Sequence, residues 1–119
     1  MAKIMIADDS DSIRLVLNDI LSIGEHEVVS EAIDGDDAVK KFAESKPDLV
    51  LLDLAMPKKD GLQVLQEIMD IDPNAKVVLI TASEDQKIIS QCMEKGALSY
   101  IAKPFDFNNV LKVISNSLN

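Results

Sequence analysis

Short apolar runs alternate with stretches of helical periodicity from one end of the chain to the other. The apolar runs cover residues 4–7, 28–29, 49–52, 77–80 and 100–102, and their length suits buried strands. Apolar residues recur three or four positions apart around residues 13–21, 38–42, 62–69, 88–93 and 110–114, which predicts amphipathic helices. The pattern therefore predicts five βα units in succession.

The strand candidates are apolar without interruption, as in Val50-Leu51-Leu52, which is typical of a parallel sheet covered on both faces. The chain is therefore expected to form a three-layer α/β sandwich around a five-stranded parallel sheet. Breaker residues agree with this pattern. Gly24 and Gly96 are predicted to end helices with a positive φ, and Ser83 to Gln86 has the pattern of a capping box.

The length and composition predict a single domain over residues 1–119. The 119 residues, of which 47% are apolar, suffice for one core and leave no room for a separate output domain. No apolar run approaches the roughly 20 residues that a membrane span requires, and no export signal follows Met1. We expect a cytoplasmic protein. Its one cysteine, Cys92, cannot form an internal disulfide.

The charge narrows the class of partner. The formal net charge is −9, from 21 acidic and 12 basic residues, and it disfavours binding to nucleic acid or to an anionic membrane. The three phenylalanines and one tyrosine form no basic-aromatic strip that could stack nucleotide bases. A protein or a cation is the expected partner.

Polar residues follow the predicted strands where each strand ends. Asp8-Asp9 follows the first strand, Asp53 ends the third, Thr81 ends the fourth and Lys103 follows the fifth. In open α/β sheets the ligand site lies beyond these carboxyl ends, so the five side chains are expected to converge.

Three converging carboxylates repel one another unless a cation joins them, and Mg²⁺ suits carboxylates together with a phosphoryl oxygen. Lys103 adds a positive charge and Thr81 a hydroxyl group. This set predicts phosphoryl transfer to Asp53 as nucleophile, because that chemistry needs chiefly positioning and charge neutralisation.

Five motifs together resemble the response-regulator receiver family along the whole chain. They are Asp8-Asp9, Asp53 with Met56-Pro57, Asp60-Gly61, Thr81-Ala82 and Lys103-Pro104-Phe105. The resemblance implies a flavodoxin-like (βα)5 fold with the strand order 2-1-3-4-5. It also implies that the chain catalyses only its own phosphorylation and dephosphorylation, and that the Lys103-Pro104 peptide is cis, as is usual in the family.

The resemblance implies individual roles for the site residues. Asp9 and Asp53 would bind Mg²⁺, Asp8 would hold a metal-bound water or the ion itself, and the Ala55 backbone carbonyl would be a further ligand. Thr81 and Lys103 would bind the phosphoryl group on Asp53, and Tyr100 would turn inward behind Thr81, so that Thr81 and Tyr100 form the switch. The small residues Ala55 and Ser83 stand where the family tunes water access, so spontaneous dephosphorylation is expected to be unblocked.

The implied function is a two-component signalling switch. A CheA-like histidine kinase would donate the phosphoryl group, and the fourth helix, fifth strand and fifth helix, roughly residues 84–118, would bind the output partner. A motor switch protein or a motor adaptor in chemotaxis is expected, and the acidic character of the fourth helix favours a basic adaptor. The alternative is a receiver-fold interaction module that serves another phosphorelay or is never phosphorylated. An EF-hand is rejected because Arg14 stands where its turn glycine belongs.

Overall fold

A computed structural model describes residues 2–82 and 86–119. The strands are β1 Lys3–Ala7, β2 Glu27–Ala32, β3 Leu49–Asp53, β4 Val77–Thr81 and β5 Ser99–Ala102. The helices are α1 Asp11–Ile23, α2 Gly35–Ser45, α3 Gly61–Ile71, α4 Gln86–Glu94 and α5 Phe107–Leu118. The strands form one parallel sheet in the order β2-β1-β3-β4-β5, which confirms the predicted fold and order.

Alternate residues of the central strands feed two hydrophobic cores, one on each face of the sheet. Val50, Leu52 and Leu79 pack on one face with Phe42 of α2 and with α3. On the other face, strand residues such as Leu51 pack with α1 and α5. Every residue of β3 and β4 is buried, as expected for strands covered on both sides. This arrangement is the predicted three-layer sandwich.

One of the two predicted glycine helix ends has the predicted geometry. Gly96 has φ +118° and follows α4, which confirms the expectation for that residue. The prediction for Gly24 was wrong, because its φ is −78° and the positive φ of +63° falls on Glu25. Gly24 is instead needed for close packing, since an added Cβ would lie 2.5 Å from a Leu111 side-chain atom.

The predicted capping box at Ser83 lies outside the described residues, as do the acidic residues 84 and 85 of the fourth helix pattern. Each of the other four helices is preceded by an N-cap residue whose side chain accepts a hydrogen bond from a backbone N–H of the first turn. These N-cap residues are Ser10, Asp34, Asp60 and Asp106. Within the described part of the chain, no helix combines the length and the apolar character that a membrane span needs.

Candidate functional site

The structure brings the predicted site residues to one edge of the sheet. Asp8 directly follows β1, Asp53 and Thr81 are the last residues of β3 and β4, and Lys103 directly follows β5. Asp8, Asp53 and Thr81 are buried, whereas Asp9 is exposed. Polar groups buried at strand ends are costly unless they are paired or bind a ligand, so their convergence marks this edge as a site.

Three hydrogen bonds hold Asp8 in place at the turn between β1 and α1. Its carboxylate Oδ1 accepts from the Ser10 N–H at 2.8 Å, and its own N–H donates to the Ala32 carbonyl at 3.0 Å. The Asp8 carbonyl accepts from Nη1 of Arg14 at 2.5 Å. With its backbone and one oxygen held in this way, Asp8 keeps its second oxygen, Oδ2, directed at the site.

The three aspartates fit a divalent cation. One carboxylate oxygen from each of Asp8, Asp9 and Asp53 lies within 4.8 Å of the others. Asp8 Oδ2 is buried and has no hydrogen-bond partner among the described residues. Lys103 Nζ lies 3.3 Å from this oxygen but is not aligned for a hydrogen bond. An all-oxygen donor set with an unsatisfied buried carboxylate oxygen is what Mg²⁺ requires.

Asp53 is held in a position where its negative charge is disfavoured. Burial raises the pKa of Asp53, and the negative charges of Asp8 and Asp9 raise it further. The Ala55 N–H, which donates to Asp53 Oδ1 at 3.1 Å, and the Lys103 ammonium act in the opposite direction and lower this pKa. The carboxylate is thus aimed by one backbone donor and is electrostatically strained in the absence of further positive charge.

Lys103 joins the ends of β4 and β5 to the carboxylates. Its N–H donates to the Thr81 carbonyl at 2.9 Å, and its ammonium lies 3.9 Å from Asp53 Oδ2. The Lys103-Pro104 peptide is cis, as the family resemblance implied. A cleft of about 310 Å³ opens beside Asp53 and is lined by Leu54, Ala55, Leu62, Thr81, Ala82 and Ile88, among others. The cleft opens this side of Asp53 to small molecules.

Tyr100 is exposed in this structure, and its expected turn toward Thr81 stays a prediction. It is 41% exposed on β5, where it pairs with Leu79 of β4, so its ring lies at the surface in this structure and not behind Thr81. The switch role of Thr81 and Tyr100 likewise stays a prediction.

The sequence analysis did not predict a role for Arg14, which binds the backbone carbonyl of the site residue Asp8. Val16 was expected on the inner face of α1 but is 43% exposed, whereas Arg14 is 9% exposed. The Arg14 guanidinium donates to the Asp8 carbonyl, to Asp11 and to Glu31, the last at 3.1 Å. A signal was present, because Arg14 lies three and seven residues before the buried Leu17 and Leu21 and so shares their helix face.

Comparisons with known proteins agree with this geometry. A family model described as the response regulator receiver domain matches residues 4–115. The chemotaxis protein CheY of Listeria monocytogenes is 41% identical over 117 residues, which cover 98% of each chain. CheY of Thermotoga maritima is 37% identical over 113 residues, which cover 95% of this chain and 94% of that protein.

A solved structure matches the fold closely. The crystal structure of the CheX-CheY-BeF3-Mg²⁺ complex from Borrelia burgdorferi contains a chain with a TM-score of 0.95 and 34% identity, and the match covers 98% of this chain and 89% of that chain. Sequence, fold and the acidic edge of the sheet thus agree. The chain belongs to the response regulator receiver domain family, the phosphoaccepting switches of two-component signalling, and it is CheY-like.

Proposed function

We propose that the protein is a Mg²⁺-dependent phosphoryl switch that accepts its phosphoryl group on Asp53 from a CheA-like histidine kinase. The observation that carries the proposal is the cluster of three carboxylates within 4.8 Å, with a buried Asp8 oxygen that has no hydrogen-bond partner in the described part of the chain. A purely structural cluster of this kind would be costly, because desolvated like charges repel. The cost is explained if the cluster holds a cation next to a nucleophile.

The chain's own residues have distinct roles in this proposal. Asp8, Asp9, Asp53 and the Ala55 carbonyl would hold Mg²⁺, which when bound neutralises the carboxylates and the phosphoryl oxygens. An Asp53 carboxylate oxygen attacks the phosphorus atom, the bond between phosphorus and the donor's leaving group breaks, and that group departs with its electron pair. Lys103 and the Thr81 hydroxyl stabilise the negative charge on the transferred oxygens.

The same site would limit the protein to chemistry on itself. Hydrolysis returns Asp53 to a carboxylate when water attacks the phosphorus atom of the aspartyl phosphate. Ala55 is exposed at the rim of the cleft and its side chain is a single methyl group, so it gives little obstruction to that water. We therefore assign the protein the role of phosphoacceptor and not of an enzyme for outside substrates.

The output surface would be the face formed by α4, β5 and α5. Met93, Leu98 and Tyr100 are large apolar or aromatic residues that are 40–45% exposed there. Exposed apolar residues close together favour a protein partner. The Borrelia burgdorferi CheY structure contains CheX, which supports a partner from the chemotaxis system, either a motor switch protein, an adaptor or a CheX-like protein. This role places the protein in the cytoplasm with its kinase.

Incubation with acetyl phosphate tests the chemistry directly. Wild type should gain a labile phosphoryl adduct by intact mass only when Mg²⁺ is present, and Asp53→Asn should gain none. Asp19→Asn removes an exposed carboxylate of α1 and should behave like wild type. If folded wild type forms no adduct with Mg²⁺ and excess acetyl phosphate, the phosphoryl switch is excluded and an unphosphorylated interaction module remains.

A further inference from the structure

The loop between β3 and α3 carries Ala55 and is closed by its own backbone. The Gly61 N–H at its end donates to the Leu54 carbonyl at 3.2 Å, and the Lys59 N–H donates to the Pro57 carbonyl at 3.0 Å. These bonds fix the shape of the loop. They do not fix its position relative to the sheet, which must come from contacts with other elements.

The first residue of α2 anchors this loop at a distance that only glycine permits. The Gly35 N–H donates to the Pro57 carbonyl at 3.2 Å. A Cβ added to Gly35 would lie 2.4 Å from Lys59 Cβ and 2.9 Å from the Lys59 carbonyl oxygen. Real Cβ atoms do not approach other atoms so closely, so the loop and the start of α2 are in direct backbone contact.

The Lys59 side chain bridges from the loop to two helices. Its ammonium lies 3.2 Å from Asp36 Oδ1 of α2 and 2.8 Å from Glu67 Oε1 of α3. The side chain is only 22% exposed, in contrast to 61% for the neighbouring Lys58, whose ammonium lies 3.5 Å from Asp34. The hydrogen bond to Glu67, followed by that to Asp36, raises the pKa of Lys59. The bridge is therefore a charged contact between three elements, in which the lysine is sheltered and the two carboxylates are partly exposed.

We infer that Lys59 is a positioning residue for the cation site, because it holds the loop that presents Ala55 without itself touching any site carboxylate. The inference rests on the proposed Mg²⁺-dependent function. Removal of the bridge leaves the loop held by the Gly35 contact and by the Leu54 N–H, which donates to the Ile80 carbonyl at 3.1 Å, and so loosens the loop without detaching it. The Ala55 carbonyl, and the Ala55 N–H that aims Asp53, are then held less firmly. A displacement of either group weakens the cation site, since Mg²⁺ tolerates little departure from its preferred geometry.

The sign of the effect on Mg²⁺ affinity separates positioning from simple electrostatics. Lys59→Met keeps the length of the side chain and removes one positive charge near a cation site. On electrostatic grounds alone it should tighten Mg²⁺ binding slightly. Positioning predicts the opposite, a Mg²⁺ dissociation constant about 3- to 10-fold higher, smaller than the loss typical for residues bonded directly to a metal ligand. Calorimetric titration with MgCl₂ measures this dissociation constant.

Lys58→Met is the matched control, because it removes the same charge from the same loop at a lysine that is 61% exposed and has a single carboxylate partner at 3.5 Å. Its Mg²⁺ affinity should equal or slightly exceed that of wild type. Lys59→Arg keeps the charge and should restore affinity. Gly35→Ala changes no charge but pushes Lys59 outward, and should also weaken Mg²⁺ binding several-fold.

Hydrogen exchange without Mg²⁺ provides a readout independent of the cation. In Lys59→Met the amides of Ala55, Lys59 and Gly61 should exchange at least several-fold faster relative to β3 amides than in wild type. Unchanged loop exchange, or Mg²⁺ affinity no weaker than that of Lys58→Met, overturns the inference. Wild type that binds no Mg²⁺ overturns the proposed function instead, so the two failures are distinguishable.

Discussion

Replacement of Asp53 by asparagine should stabilise the protein when Mg²⁺ is absent. Asp53 is 3% exposed, and one of its oxygens lies within 4.8 Å of carboxylate oxygens of Asp8 and Asp9. Folding therefore brings a negative charge into a buried position next to two others. The raised pKa of Asp53 has the same cause, namely burial together with the negative charge of Asp8. The asparagine side chain keeps the shape and the acceptor for the Ala55 N–H but not the charge.

The magnitude follows from the distances. With an effective dielectric constant near 20, two carboxylates at the limiting separation of 4.8 Å repel by about 3 kcal/mol or more, and the Lys103–Asp53 pair, 3.9 Å apart, attracts by about 4 kcal/mol. The repulsion from Asp8 thus nearly cancels the attraction to Lys103. The exposed Asp9 adds about 1 kcal/mol of screened repulsion, and the desolvation of Asp53 decides the balance. We expect Asp53→Asn to raise the free energy of unfolding by about 1–2 kcal/mol, or its Tm by roughly 3–8 °C.

The gain should depend on pH in a defined direction. The folded state has the higher pKa for Asp53, so it binds the proton more tightly than the unfolded state does. The destabilisation caused by the ionised Asp53 carboxylate of wild type is then fully present above the raised pKa. It declines as the pH falls through that value and disappears below the ordinary value of 3.8. The stability difference between variant and wild type should shrink over the same range.

Urea unfolding followed by circular dichroism, in buffer with EDTA, measures the effect. Asp19→Asn changes the net charge equally at an exposed position of α1 and should shift the stability by less than about 0.5 kcal/mol. Added Mg²⁺ should stabilise wild type by mass action and Asp53→Asn much less, which narrows the gap. If Asp53→Asn is no more stable than Asp19→Asn in the absence of Mg²⁺, the carboxylate cluster does not destabilise the folded protein and the reasoning is refuted.

Two further substitutions test the scaffold. Arg14→Met should cost about 2–4 kcal/mol in urea unfolding because it leaves the buried Asp8 carbonyl without its donor, and Arg14→Lys should recover only part, since an ammonium cannot reproduce the three directed bonds of the guanidinium. Full stability of Arg14→Met would contradict this role. Gly96→Ala should cost about 1–2 kcal/mol in the same assay, because φ +118° is strained for alanine and its Cβ would lie 2.9 Å from Met69 Cε, and an unchanged midpoint would mean that the turn relaxes freely.

The sequence predicted those parts of the site that depend only on the topology of a parallel sheet. Parallel strands end at one edge, so Asp8, Asp53, Thr81 and Lys103 could be placed together from strand ends alone, and the structure confirms that placement. Arg14 was not predicted, because a charged residue on an apolar helix face is normally assigned to solvent. Its burial depends on the Asp8 carbonyl and on acceptors such as Glu31, which the fold brings together.

The Lys59 bridge could not be predicted for a different reason. Its loop has no periodicity, so no pattern indicates which way the side chain points. Its two partners, Asp36 and Glu67, lie on separate helices and become neighbours only through the packing of α2 against α3. The same limit applies to Tyr100. Its position on β5 followed from the sequence, but its exposure depends on side-chain packing at this end of the sheet, which a pattern of apolar residues does not encode.

The position of Lys103 indicates how the cation and the phosphoryl group would support one another. Its ammonium lies nearer to Asp8, at 3.3 Å, than to Asp53, at 3.9 Å, and Asp8 Oδ2 has no aligned donor among the described residues. If Asp8 held a cation, that oxygen would be satisfied, and Lys103 would be free to pair with a phosphoryl group on Asp53. The Lys103 N–H donates to the Thr81 carbonyl, so the backbone of Lys103 is joined to the end of β4. Tyr100 lies three residues before Lys103 on β5, so both expected switch residues are near the lysine that would bind the phosphoryl group in the proposed function.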